Sequence, residues 1–268
     1  MKNIARFLLI LLGFAGSAVS LPVAAHYSCN VDLNYGVVVK DGQIRVVKDY
    51  FTVYQINHQQ QLFVDGNWLK LTPHQARLVT DYANGLHAVV PQVTLLATTG
   101  IDLAAESVQQ MFTSLLGSDH DSFEKLNVAV KNIKKMVRVK FRYKRTFYYL
   151  GPSHIEELEQ FDNNELMAPF SKTLTTSVGS ILTMLGTMDS DRFVVDEVEM
   201  SAINERLAHY AATSDSVGPP VHTTLPEKAR WYCDYFTELD GIEQQMQRAI
   251  PELSTIDLIS LSTRKEAN

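Results

Sequence analysis

Short period-two stretches alternate with turns through the first exported stretch of the chain, and period-three-to-four stretches follow from Pro73 onward. Cys29 to Leu33 alternates loosely, and Gly36 to Val39 runs into an Asp41-Gly42 turn. Ile44 to Val47 and Tyr50 to Ile56 follow, rich in β-branched and aromatic residues, with Asn57 to Gln61 as a polar turn. Asp65-Gly66 separates Leu62-Phe63-Val64 from Trp68-Leu69-Lys70-Leu71. Glycine takes positive φ without strain, so this pair predicts a two-residue hairpin. Residues 26–71 are therefore expected to form a small antiparallel sheet.

Thr72-Pro73-His74-Gln75 has the form of a capping box. The threonine hydroxyl accepts from the Gln75 amide, Gln75 reaches back, and proline loses nothing at the first helical position. Beyond it Val79, Tyr82, Leu86, Val90 and Val93 fall on one helical face, and Pro91 is expected to kink or end that helix. A second amphipathic stretch runs from Thr99 to Gly117, with Gly117 as its C-cap. A third carries Phe123, Leu126, Val130, Ile133 and Val137, so 72–136 is predicted helical.

Val137, Val139, Phe141 and Tyr143 then alternate with Arg138, Lys140, Arg142 and Lys144. Period two predicts one strand over 137–149 that returns to the sheet. Ser153-x-x-Glu156 starts another helical region, which extends to residue 250 with an exposed linker at 213–225 around Gly218-Pro219-Pro220. Pro226 opens a helix, and Gly241 and Pro251 bracket another. Residues 251–268 are expected to be a C-terminal tail. The predicted fold class is α+β: an antiparallel sheet, with the 137–149 strand added, packed on a helical body within a single domain at 26–250.

The first 25 residues stand apart. Lys2 and Arg6 precede an apolar run from Phe7 to Val19, and Val23-Ala24-Ala25 supplies small residues before a cut. This predicts a secretory signal peptide, export to the periplasm and a mature chain without a transmembrane segment. Losing Lys2 and Arg6 takes the net charge from −6 to −8, which disfavours nucleic acid as a partner. The chain has two cysteines, Cys29 and Cys233, both in the exported part. An oxidising compartment predicts that they pair, closing a loop worth roughly 5 kcal/mol at most.

The residues Cys29, Leu62-Phe63-Val64-Asp65-Gly66, Leu69, Leu71-Thr72, Gln75 and Asp81-Tyr82 together form a pattern that resembles the YggN family of exported gammaproteobacterial proteins of unknown function. Phe141-x-Tyr143-Lys144 and the helix around Cys233 resemble it too. The resemblance implies a periplasmic protein with no assigned activity, and it carries over no catalytic residue.

Motifs of chemistry are sparse. There is no G-x-S-x-G elbow, glycine-rich phosphate loop, HExxH or His-x-x-x-His pair. Asp119-His120-Asp121 suits helix capping better than metal binding, because adjacent loop residues rarely converge on one ion. His26, if it becomes the mature N-terminus, offers two nitrogens to Cu(II), but nothing nominates further ligands. No metal, cofactor or catalytic residue is therefore expected. The one local concentration of charge runs from Lys131 to Arg145, eight basic residues without an acid. Within it Arg138, Lys140, Arg142 and Lys144 are the candidate site, a basic strand face for an anionic envelope surface or an acidic partner. The plainer account is a solvated edge guarded by lysines, or pairing with the acids at 189–199. The expected function is a non-enzymatic envelope binding or supporting protein. The alternatives are an anionic-surface binder using 138–145, and a hydrolase whose site leaves no sequence motif.

Overall fold

A computed structural model describes residues 27–49, 51–117, 121–144, 147–152, 177–187, 205 and 224–262. The expected signal peptide, the Asp119-His120 loop, the helix expected from 153, the acidic 189–199 segment and nearly all of the expected 213–225 linker lie outside the described residues.

The alternating N-terminal stretch forms β1 (Val31–Leu33), β2 (Gly36–Lys40), β3 (Gln43–Lys48), β4 (Phe51–Asn57), β5 (Gln61–Val64) and β6 (Asn67–Trp68). The Asp65-Gly66 hairpin is present, with φ of 47° and 80° at its two residues. Positive φ at both positions is what matches a tight turn to the twist of the strands. The Thr72 capping box also forms: the Thr72 amide donates to Gln75 Oε1 at 2.8 Å, and the Gln75 amide donates back to the hydroxyl.

Two helices were expected between 73 and 117, and there is one. Helix α1 runs from Pro73 to Leu116 straight through Pro91. Proline inside a helix costs about 3 kcal/mol. Here residues 88–98 are almost wholly buried, so packing outweighs the lost hydrogen bond. The Thr94 hydroxyl donates to the Val90 carbonyl one turn back. Gly117 caps the helix with φ of 82°, as expected.

The 137–149 strand is also corrected. Helix α2 (Asp121–Lys140) continues four residues past the expected boundary, and the chain then forms a hairpin of β7 (Phe141–Lys144) and β8 (Phe147–Leu150). Val137 and Phe141 are both buried and four apart, so the same residues satisfy a helical face and an alternating one. Near the other end, α3 (Val178–Gly186) is followed by α4 (Leu225–Ala249), which passes unbroken through Gly241. The expected tail is part of the fold as far as Leu261: a 3-10 turn at Pro251–Leu253 leads to β9 (Ile259–Leu261), which pairs antiparallel with β1.

Seven strands form one antiparallel sheet in the order β6-β5-β4-β3-β2-β8-β7. Its inner face carries Val37, Val39, Ile44, Val46, Tyr54, Ile56, Leu62, Val64, Tyr148 and Leu150, all buried. Helix α1 packs on this sheet and α4 packs on α1, and one apolar cluster joins all three to α3 and β9. The fold is thus α+β with an open sheet. Cys29 and Cys233 are bonded, tying the approach to β1 to helix α4. Gly179 shows how closely these parts approach: a Cβ there would collide with the backbone carbonyls of Val31 and Cys29. Gly179 serves that contact, while Ser177 caps α3, its hydroxyl accepting from the Ser180 amide at 3.0 Å.

Candidate functional site

The four predicted basic residues do not share one strand face, because the chain passes from helix to strand among them. Arg138 lies on the last turn of α2 and binds Asp102 of α1 with one guanidinium nitrogen, 3.0 Å and 3.1 Å from the two carboxylate oxygens. Lys134, one turn earlier, reaches the same carboxylate at 3.2 Å. Lys140 closes α2 and is 2% exposed. Burial pushes its ammonium down to about 8, opposed by Asp32 on β1. Lys140 therefore faces the interior and is not available to a large surface.

Arg142 and Lys144 are exposed on β7, an edge strand. Strand pairing carries their face across the whole sheet. Arg142 pairs with Tyr149, Tyr149 with Val38, Val38 with Arg45, Arg45 with Gln55, Gln55 with Phe63 and Phe63 with Trp68. A parallel row joins Lys144, Phe147, Lys40, Gln43, Asn57 and Gln61. These two outer rows hold four cations, four aromatic rings, four side-chain amides and no acid. Arg142 lies over the Tyr149 ring at 4.6 Å from its centroid. Arg45 has a buried Nε with no hydrogen-bond partner among the described residues.

Around the edge of β7 the same corner opens into a groove of about 860 Å³ between α1, α2 and the hairpin. Thr98, Thr99 and Asp102 form one wall, Lys134 and Arg138 another, and Phe141, Tyr143 and Phe147 the floor. Among the described residues no serine, cysteine or histidine lines it. Asp102 is engaged by Lys134 and Arg138, and Glu106 adds a second carboxylate to a lining that is otherwise cationic, aromatic and hydroxyl-bearing.

A second group of charges was not anticipated. Asp240 and Glu243, one turn apart on α4, meet Asp257, with ligand oxygens of all three within 4.8 Å of one another. Asp240 and Glu243 are 5% and 3% exposed. Desolvation pushes the Glu243 carboxyl up to about 8, although it accepts from the Leu258 and Ile259 amides at 2.7 and 2.9 Å. Burial and Glu243 push the Tyr54 and Tyr82 phenols well above their usual range. The spacing of Asp240 and Glu243 was readable as one helical face, but nothing in the sequence tied that face to Asp257.

Among the described residues one helix, α1, is long and apolar enough to cross a membrane by length and composition, and 83% of its most apolar window is buried inside the fold. What these observations define first is a class: a disulfide-tied α+β protein with an open, acid-free sheet face. The chain belongs to the family described as "Protein of unknown function (DUF2884)", which it matches over residues 29–259. That span takes in both cysteines and the first residue of β9. Neither the curated proteins nor the solved structures give a significant match.

Proposed function

We propose that this is an exported, non-enzymatic protein of the periplasm that binds an anionic surface of the cell envelope through the outer face of its sheet. The observation that carries the reading is the composition of that face. Two cross-strand rows present Arg142, Arg45, Lys144 and Lys40 with aromatic rings between them and no carboxylate. The four cations lie at the β7 end of the face, where Tyr149 and Phe147 stand among them, and Phe63 and Trp68 add apolar contact at the far edge. Trp68 is 66% exposed, at the far edge of the sheet. The single disulfide supports export, because such bonds persist in oxidising compartments.

The refined site differs from the predicted one. Arg142 and Lys144 belong to it, Arg45 and Lys40 join it, Arg138 lines the adjoining groove, and Lys140 is excluded by burial. Co-sedimentation of the mature protein with phosphatidylglycerol-containing vesicles tests the reading. Binding is expected at low salt, to fall steeply as salt screens it, and to be lost in Arg142→Glu/Lys144→Glu. Binding that ignores both salt and the charge reversal would rule out this face.

A further inference from the structure

We propose that the free edge of β7 is a docking site for an extended acidic peptide of a partner protein, which adds to the seven-stranded sheet as one more strand. β7 ends the sheet order, so one side of its backbone has no neighbouring strand. The ladder fixes which groups are left over. The Gly151 amide donates to the Lys140 carbonyl at 2.8 Å, one step outside the Phe141–Leu150 pair. Bonded and non-bonded pairs alternate along an antiparallel ladder. Arg142 and Lys144 therefore bond across to Tyr149 and Phe147, and Tyr143 turns its N–H and C=O outward. Among the described residues no backbone hydrogen bond from outside the hairpin reaches Tyr143.

The space beside that edge is open. The groove of about 860 Å³ is lined by residues from both faces of β7, Phe141 and Tyr143 from the inner one and Arg142 and Lys144 from the outer. A single space touches both faces only by running along the edge between them. Its far wall is helical, with Asp102 of α1 and Lys134 and Arg138 of α2. Strand addition to an exposed sheet edge is a recurrent way of holding a peptide: main-chain bonds attach it, and alternate side chains are read by the surroundings.

The side chains specify the partner. An added strand sets one row of its side chains beside Arg142 and Lys144 and the other beside Phe141 and Tyr143. Among the described residues no acid pairs with Arg142 or Lys144, and Lys134 and Arg138 share the carboxylate of Asp102. Counting Glu106, the lining holds four cations against two carboxylates. Tyr143 is 47% exposed and offers apolar surface to the second row. The segment that fits therefore alternates acidic with apolar residues. A second copy of this chain fits badly, because pairing two β7 edges about Tyr143 sets Arg142 of one copy against Lys144 of the other. The cations that guard the edge against another copy admit an acidic strand.

This site uses the edge and the groove rather than the outer face of the sheet, so it stands or falls separately from vesicle binding. The test takes the mature, oxidised protein and a short blocked peptide of alternating valine and glutamate, with a valine–lysine peptide as control. Fluorescence anisotropy is expected to show saturable binding of the glutamate probe alone, weakened by salt. In the unaltered protein, saturating probe is expected to slow amide exchange at Tyr143 by about tenfold or more. Tyr143→Pro removes the outward N–H while its neighbours keep their ladder bonds, and Tyr143→Ala keeps that N–H but loses the ring. The proline variant should bind the probe about tenfold more weakly than the alanine variant. Vesicle co-sedimentation, scored separately, should be the same for both. Unchanged exchange at Tyr143 with probe bound would overturn strand addition, and that measurement needs no variant to fold. Equal probe affinity in the two folded variants would overturn it too. So would absence of glutamate-probe binding, the result expected if a second copy or the chain's own acids at 189–199 held the edge.

Discussion

The basic corner at β7 and the acidic cluster on α4 are both groups of like charge, and the fold treats them in opposite ways. Arg142 and Lys144 stand in water, where repulsion between neighbours is weak and an aromatic ring can share the space. Asp240 and Glu243 are buried, where desolvation, with the charge of Asp257 added, favours a proton on each carboxyl. Even within the corner the contrast holds: Lys140, three residues from Tyr143, is buried and has its charge weakened. Like charges in water can stand side by side at little cost. Like charges withdrawn from water hold on to a proton instead.

The largest effect that tests this contrast comes from the disulfide, which ties the acid-bearing helix to the rest of the fold. Cys29→Ser/Cys233→Ser opens a link across 204 residues of sequence. It is expected to cost about 4–5 kcal/mol in urea unfolding, with reduction of the unaltered protein costing a similar amount. A loss below about 1 kcal/mol would mean that α4 is held by packing alone.

Next is the pH dependence of the acidic cluster. Glu243 holds its proton up to about 8 when folded and sheds it near the ordinary carboxylate range when unfolded. The folded state therefore binds the extra proton between those values. Its stability contribution is complete at pH 4.5 and lost as pH rises to 8, with a slope of at most about 1.4 kcal/mol per pH unit. Glu243→Gln keeps the shape and removes the proton, so the slope across that window should flatten. An unchanged slope would show that Glu243 ionises normally in the fold.

Smaller effects serve as controls on each region. Gly241 lies between the two helical acids, and a Cβ there meets open space. Gly241→Ala should raise stability by about 0.5–1 kcal/mol without moving the carboxylates, measured by the same urea curves. Arg138 is mostly exposed despite its contacts with Asp102. Arg138→Ala should therefore cost only about 0.2–1 kcal/mol, and a larger loss would mean the groove is drier than its exposure shows.

Much of the frame was legible because it is written in short-range chemistry. The Asp65-Gly66 turn, the Thr72 box and the Gly117 cap each depend on residues within a few positions of one another, and all three formed. The misreadings have one source. Pro91 and Gly241 are local helix breakers, and the sequence does not show that buried surroundings overrule the first or that α4 tolerates the second. The alternation over 137–143 was ambiguous because Val137 and Phe141 fit both periods. The basic residues were visible, but their division among helix, interior and sheet face was not.

Taken alone, the order of residues set the secondary-structure alphabet, the α+β class and the cysteine pair, because turns, caps and periodicity are properties of neighbours. Tertiary structure decided which charges meet water. It drew Lys40 and Arg45 into the row of Arg142 through strand pairing, and brought Asp257 to a helix fourteen residues earlier in the chain. Those distances are closed only by folding, and the cost or use of a charge depends on the solvent that folding leaves around it.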